Sequence, residues 1–101
     1  MDNPKITVHI DASLKDLAAN YLANRRRDIG TIMEALKRGD YEPIRAIGHN
    51  IRGTGAGYGF DFISEIGDGL EQAAPQGDAA TISKLTTELA DYLRRLDVVF
   101  D

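Results

Sequence analysis

His49 is the residue in this sequence whose type and surroundings best suit covalent chemistry. On a helix, Arg45 stands one turn before it, and Arg52 and Gly53 stand one turn after it. At about 100° per residue, His49 points about 140° away from Ile44 and about 160° from both Ile47 and Ile51. Those isoleucines mark the buried side, so the imidazole looks outward. An exposed imidazole is largely neutral at cytosolic pH and then acts as a nucleophile. Guanidinium groups beside it can hold the oxygens of an incoming phosphoryl group. Gly53 leaves a gap where a side chain would obstruct that group or the protein delivering it. Phosphoryl transfer depends on in-line positioning, so a nucleophile fixed on a stiff helix is a sufficient donor or acceptor.

Other chemistries find little support. There is no cysteine, which removes disulfides, thiolate zinc sites and thiol nucleophiles. The two histidines lie far apart and no H-E-x-x-H occurs, so no metal site is expected. His9 reads as a surface residue. Gly53, Gly55, Gly57 and Gly59 match neither dinucleotide-binding nor P-loop spacing, and close helix packing is the simpler cause.

The elements that must position His49 can be read from periodicity. Ile6, Val8 and Ile10 alternate with Lys5, Thr7 and His9, as in an extended segment with one buried face. A lone strand makes no sheet, so this is read as an extended lead-in laid on helices, with strand pairing in a dimer as the alternative. Asp11 and Ser13 are N-cap candidates, and Ser13 with Asp16 resembles a capping box. The first helix carries Leu14, Leu17, Ala18, Tyr21, Leu22, Ile29, Ile32, Met33 and Leu36 on one face, with a break allowed near residues 18–20. Its run Arg25-Arg26-Arg27-Asp28 is expected to face solvent. The helix ends at Lys37-Arg38-Gly39.

The second helix opens with Asp40 as N-cap and Pro43 in its first turn, and its end within 53–61 is left open by the glycines. A third helix from about Asp61 to Ala74 buries Phe62, Ile63, Ile66, Leu70 and Ala73, and Pro75-Gln76-Gly77 ends it. A fourth, capped by Asp78, buries Ile82, Leu85, Leu89, Tyr92, Leu93 and Leu96 and runs to near Val99. Short connections between long helices predict an all-α, up-and-down antiparallel four-helix bundle over residues 1–101, a single domain with an extended N-terminal lead-in.

Apolar residues make up 43% of the 101 residues and charged residues 28%, which is ordinary globular usage. Twelve Lys and Arg against sixteen Asp and Glu give a net charge of −4, which disfavours nucleic acid as a partner. No apolar run is long enough to span a bilayer, and Met1-Asp2-Asn3-Pro4 lacks the basic and apolar stretches of a leader. A cytoplasmic protein with protein partners is the expectation.

The stretch Gly48-His49-Asn50-Ile51-Arg52-Gly53-Thr54-Gly55-Ala56-Gly57-Tyr58-Gly59 resembles the signature of histidine-phosphotransfer (HPt) domains: a histidine, two residues of which the second is apolar, Lys or Arg, Gly, a small hydroxylic residue, and small residues ending in glycine. The helical order of the whole chain fits as well. The resemblance implies that His49 is the phospho-acceptor through its distal ring nitrogen, that Arg52 stands where the family commonly has lysine, and that Gly53 gives clearance. It implies a stand-alone phosphorelay intermediate of bacterial two-component signalling. Such a protein takes a phosphoryl group from a sensor (hybrid) histidine kinase or a receiver-domain aspartate and passes it to a response-regulator receiver domain. Magnesium and catalytic carboxylates then belong to the receiver, so the chain needs no cofactor and is a carrier rather than a turnover enzyme. Partner contacts are expected from Arg45, Ala46, Arg52, Gly53 and Ala56 of the second helix. The alternative is a helical interaction module that binds and inhibits a kinase or receiver without being phosphorylated.

Overall fold

The computed structural model describes residues 4–101; Met1, Asp2 and Asn3, on which the reading of a leaderless N-terminus partly rests, lie outside the described residues. The chain is mostly helical. In order it forms strand β1 (Ile6–Ile10), helices α1 (Lys15–Lys37), α2 (Glu42–Thr54), α3 (Asp61–Ala73) and α4 (Ala79–Arg95), and strand β2 (Leu96–Phe100). The principal helix contacts are α1 with α2 and α4, and α3 with α2 and α4. Among the described residues no helix is long and apolar enough to cross a membrane.

Four helices over most of the chain are compatible with the expected all-α class, and a short strand pair is added to them. The N-terminal segment is not a lead-in without a partner: β1 pairs in parallel with β2, from Ile6 opposite Leu96 to Ile10 opposite Phe100. α4 therefore stops at Arg95 instead of running to Val99, and Leu96 is already extended at φ −70°, ψ 128°. Val98, Val99 and Phe100 beyond it are β-formers, and Leu96, Val98 and Phe100 alternate inward against Asp97 and Val99. Helix periodicity and strand alternation both fit a short apolar tail; a partner strand about ninety residues away in sequence decided between them.

Two caps also differ from expectation. The Asp11 carboxylate accepts from the Ser13 N–H at 2.8 Å and caps a 3₁₀ turn, Ala12–Leu14, while α1 starts after Leu14 without a side-chain cap. The Ser13 and Asp16 capping box is thus not formed. α1 is continuous through residues 18–20. α2 has Tyr41, not Asp40, at its N-cap, with Pro43 in the first turn as expected. Asp78 does cap α4, accepting from the Thr81 N–H at 3.1 Å and the Thr81 hydroxyl at 2.7 Å. Gly77, at φ +62°, supplies the left-handed residue that turns the chain after α3.

The core gathers Ile32 of α1, Ile44 and Ile51 of α2, Ile63, Ile66 and Leu70 of α3, and Ile82 and Leu89 of α4, all with almost no exposed surface. Each such side chain contributes roughly 1.5–3 kcal/mol by leaving water. Phe62, Leu85 and Leu96 are only half-buried, whereas Phe60, in the glycine-rich connection, is fully buried and stacks on Tyr21 with ring centroids 6.2 Å apart. Leu17 and Met33 of the predicted α1 stripe are exposed.

Arg25 does not face solvent. It is 7% exposed, with its guanidinium 4.4 Å from the Tyr21 ring centroid and its Nε 2.8 Å from Asp28 Oδ2, an ion pair whose angle falls short of a hydrogen bond. The delocalised guanidinium is weakly hydrated and is attracted to an aromatic face, which lets a charged residue serve as packing.

Candidate functional site

The site is made by the seam between α2 and α3. Gly48 and Gly67 face each other across it. A Cβ on Gly48 would come within 2.7 Å of the Glu71 backbone nitrogen and 2.8 Å of the Gly67 carbonyl oxygen. One on Gly67 would lie 2.5 Å from the Arg52 backbone nitrogen. Only glycine at both places lets the two backbones meet so closely. At the end of α2, Gly55 repeats the device against Ser64, whose hydroxyl accepts from the Ala56 N–H at 2.7 Å. Tyr21 of α1 ties down the same end through its hydroxyl, 3.0 Å from the Thr54 Oγ1.

This close approach carries Glu71 of α3 to His49 of α2. His49 Nδ1 lies 2.7 Å from Glu71 Oε2. An ionised carboxylate has no proton to give, so Nδ1 donates and the lone pair of the neutral ring resides on Nε2. Among the described residues, nothing hydrogen-bonds to Nε2. The His49 side chain is 62% exposed and Glu71 only 20%, so a half-sheltered carboxylate holds an open imidazole. The other Glu71 oxygen, Oε1, is 3.1 Å from Arg52 Nη1, which also lies 3.9 Å from Asp68 Oδ1. Glu71 is thereby fixed from both sides, by a ring and by a guanidinium.

The remaining predicted residues fall unevenly around this centre. Gly53 is exposed, and a Cβ there would meet nothing within 4 Å. Ala46 is exposed on α2. Arg45 is turned to its own helix, its Nη2 and Nε bonded to Glu42 at 2.7 and 3.0 Å. That pairing, by hydrogen bond and then by charge, holds Arg45 above its ordinary pKa and Glu42 below the usual carboxylate range. Ala56 is exposed but lies in the 3₁₀ turn Ala56–Tyr58 beyond α2, not on the helix.

Glu71 was not among the residues expected from the sequence, nor were Asp68 and the facing glycines Gly48 and Gly67. Gly67 and Glu71 are four apart on α3, so they share a face, and adjacent Gly48 and His49 lie on α2. That pairing of a small residue with a functional one on each helix was the available signal. It becomes meaningful only once α2 and α3 are known to face each other. Among the described residues there is no cluster of three or more His, Cys, Asp or Glu that could hold a metal ion. Comparison with known protein families, with curated proteins and with solved structures returned no match for this chain.

Proposed function

We propose that this protein is a phosphorelay carrier: His49 accepts a phosphoryl group from a sensor (hybrid) histidine kinase or a receiver-domain aspartate and passes it to a response-regulator receiver domain in the cytoplasm. The observation that carries the reading is the His49–Glu71 bond at 2.7 Å on an otherwise open ring, because it leaves Nε2 as the nucleophile and points it away from the protein. The cyclic order of helix contacts supports an up-and-down antiparallel bundle as the scaffold, as in the HPt domains that residues 48–59 resemble.

In the forward step the Nε2 lone pair attacks phosphorus in line with the acyl phosphate bond. The N–P bond forms as the P–O bond breaks, and the receiver's aspartate leaves as a carboxylate. The ring gains positive charge while Nδ1 still holds its hydrogen, and the Glu71 carboxylate stabilises that charge. Transfer onward reverses the step. Arg52 touches Glu71 through Nη1 and has further N–H donors for the phosphoryl oxygens. The clear space at Gly53 admits the receiver's rim.

The test is incubation of the protein with a phosphorylated receiver domain, followed by assay for an acid-labile phosphoprotein. Label is expected on the native chain and not on His49→Gln. Equal labelling of the two would overturn the assignment.

A further inference from the structure

The second feature is the open edge of the strand pair, which is independent of the reading of His49. The Ile10 carbonyl accepts from the Asp101 N–H at 3.1 Å, so the peptide groups of Ile10 point toward β2. Alternation along a strand then turns Ile6 and Val8 the same way, and aims the N–H and C=O of Thr7 and His9 outward. Among the described residues no hydrogen bond reaches those outward groups. The apolar face of the pair is also incompletely covered: Ile6, Val8, Leu96, Val98 and Phe100 are all only half-buried. Lys15, at the start of α1, sits with its ammonium 5.8 Å over the Phe100 ring, and nearby Leu17 is 55% exposed. An unpaired strand edge above a half-covered apolar face is a template for another strand.

We propose that β1 pairs antiparallel with β1 of a second copy about a two-fold axis at Val8, making a continuous four-stranded sheet in the order β2, β1, β1, β2. This register follows from which groups are free. It sets Thr7 opposite His9 of the second copy, and the reverse, so the outward peptide groups exchange four hydrogen bonds. The two Val8 residues form the close, non-hydrogen-bonded pair. Ile6 meets Ile10 of the second copy on the apolar face, and Lys5 meets Asp11 of the second copy at each end. Centring on Thr7 instead would set Lys5 against His9, and centring on His9 would oppose the two imidazoles. Pairing through β2 would crowd Asp97 and Asp101 of both copies into one small sheet. Charge therefore selects β1 and the Val8 register.

Sedimentation of the 101-residue chain over a concentration series tests this. The native protein is expected to show a monomer–dimer equilibrium, with slowed amide exchange at Thr7 and His9 as the dimer fills. Lys5→Glu and Asp11→Lys should each weaken self-association, by about tenfold given two reversed cross-strand charge pairs. An equimolar mixture of the two variants should restore native affinity, because both charge pairs are then complementary. Thr7→Pro removes an outward N–H without touching the bonds to β2, so it should keep the native circular dichroism and lose the dimer. A native chain that stays monomeric to millimolar concentration would overturn the proposal. So would charge variants that associate normally, or whose mixture fails to regain affinity, or a folded Thr7→Pro that still dimerises.

Discussion

The two histidines make an instructive pair. His9 and His49 have nearly equal exposure, 63% and 62%, and each places Nδ1 within hydrogen-bond distance of a carboxylate, Asp101 at 3.0 Å and Glu71 at 2.7 Å. Ring exposure and a carboxylate neighbour are therefore not what separates them. Asp101 is 65% exposed just after β2, whereas Glu71 is 20% exposed, in the last turn of a helix locked to α2 by facing glycines, and is ion-paired in addition with Arg52. A nucleophile must be held in one geometry while its partner arrives, and only the α2–α3 seam provides that. Both members of the His9 pair are largely exposed, so its bond constrains the ring weakly.

The sharpest way to break the comparison is to remove each ring. His49→Gln should abolish acid-labile labelling, and His9→Gln should leave the initial rate of transfer unchanged. Loss of labelling in both would mean that the seam is not what matters.

Next in size is the seam itself. Gly48→Ala drives a methyl group into the α3 backbone and should cost about 1–3 kcal/mol of stability in urea denaturation, with slowed transfer. Gly53→Ala meets open space on the same helix and should gain up to about 1 kcal/mol from helix propensity. Its transfer should nonetheless slow, because the approach to the ring is narrowed. A Gly53→Ala protein that is more stable and equally fast would remove the clearance role.

The carboxylates follow. Glu71→Ala frees the ring to rotate and to exchange tautomers, and should slow single-turnover transfer by about tenfold to a hundredfold. Glu71→Gln retains an acceptor for Nδ1 without the charge and should fall between Glu71→Ala and the native protein. Asp101→Ala should have no effect on rate.

The smallest effects concern pH. Burial pushes the Asp28 carboxyl above the usual carboxylate range, against the pull of Arg25. The folded state then binds this proton more tightly than the unfolded chain does. Its contribution is greatest in acid and is lost as pH rises through the folded pKa. Asp28→Asn should accordingly gain stability relative to the native protein between acid and neutral pH. Asp78 runs the other way, since hydrogen bonds from Thr81 hold its carboxyl below the usual range. Its contribution is present above that range and is lost as pH falls through the depressed value, so Asp78→Ala should cost less in acid. Urea midpoints measured across the pH series check both signs.

The parts of this protein legible in its sequence are those fixed by neighbours along the chain. The helical periodicities, Pro43 in a first turn, the Asp78 cap, the outward phase of His49 and the clear space at Gly53 all depend on residues within a few positions of each other. What only tertiary structure decided joins residues remote in sequence: β1 with β2, Tyr21 of α1 stacking on Phe60 of the glycine-rich connection, and Glu71 reaching His49 from twenty-two residues away. Local rules count turns and caps, but which helix face meets which is set by packing of the whole core, where a missing side chain at Gly48 or Gly67 moves a carboxylate into place.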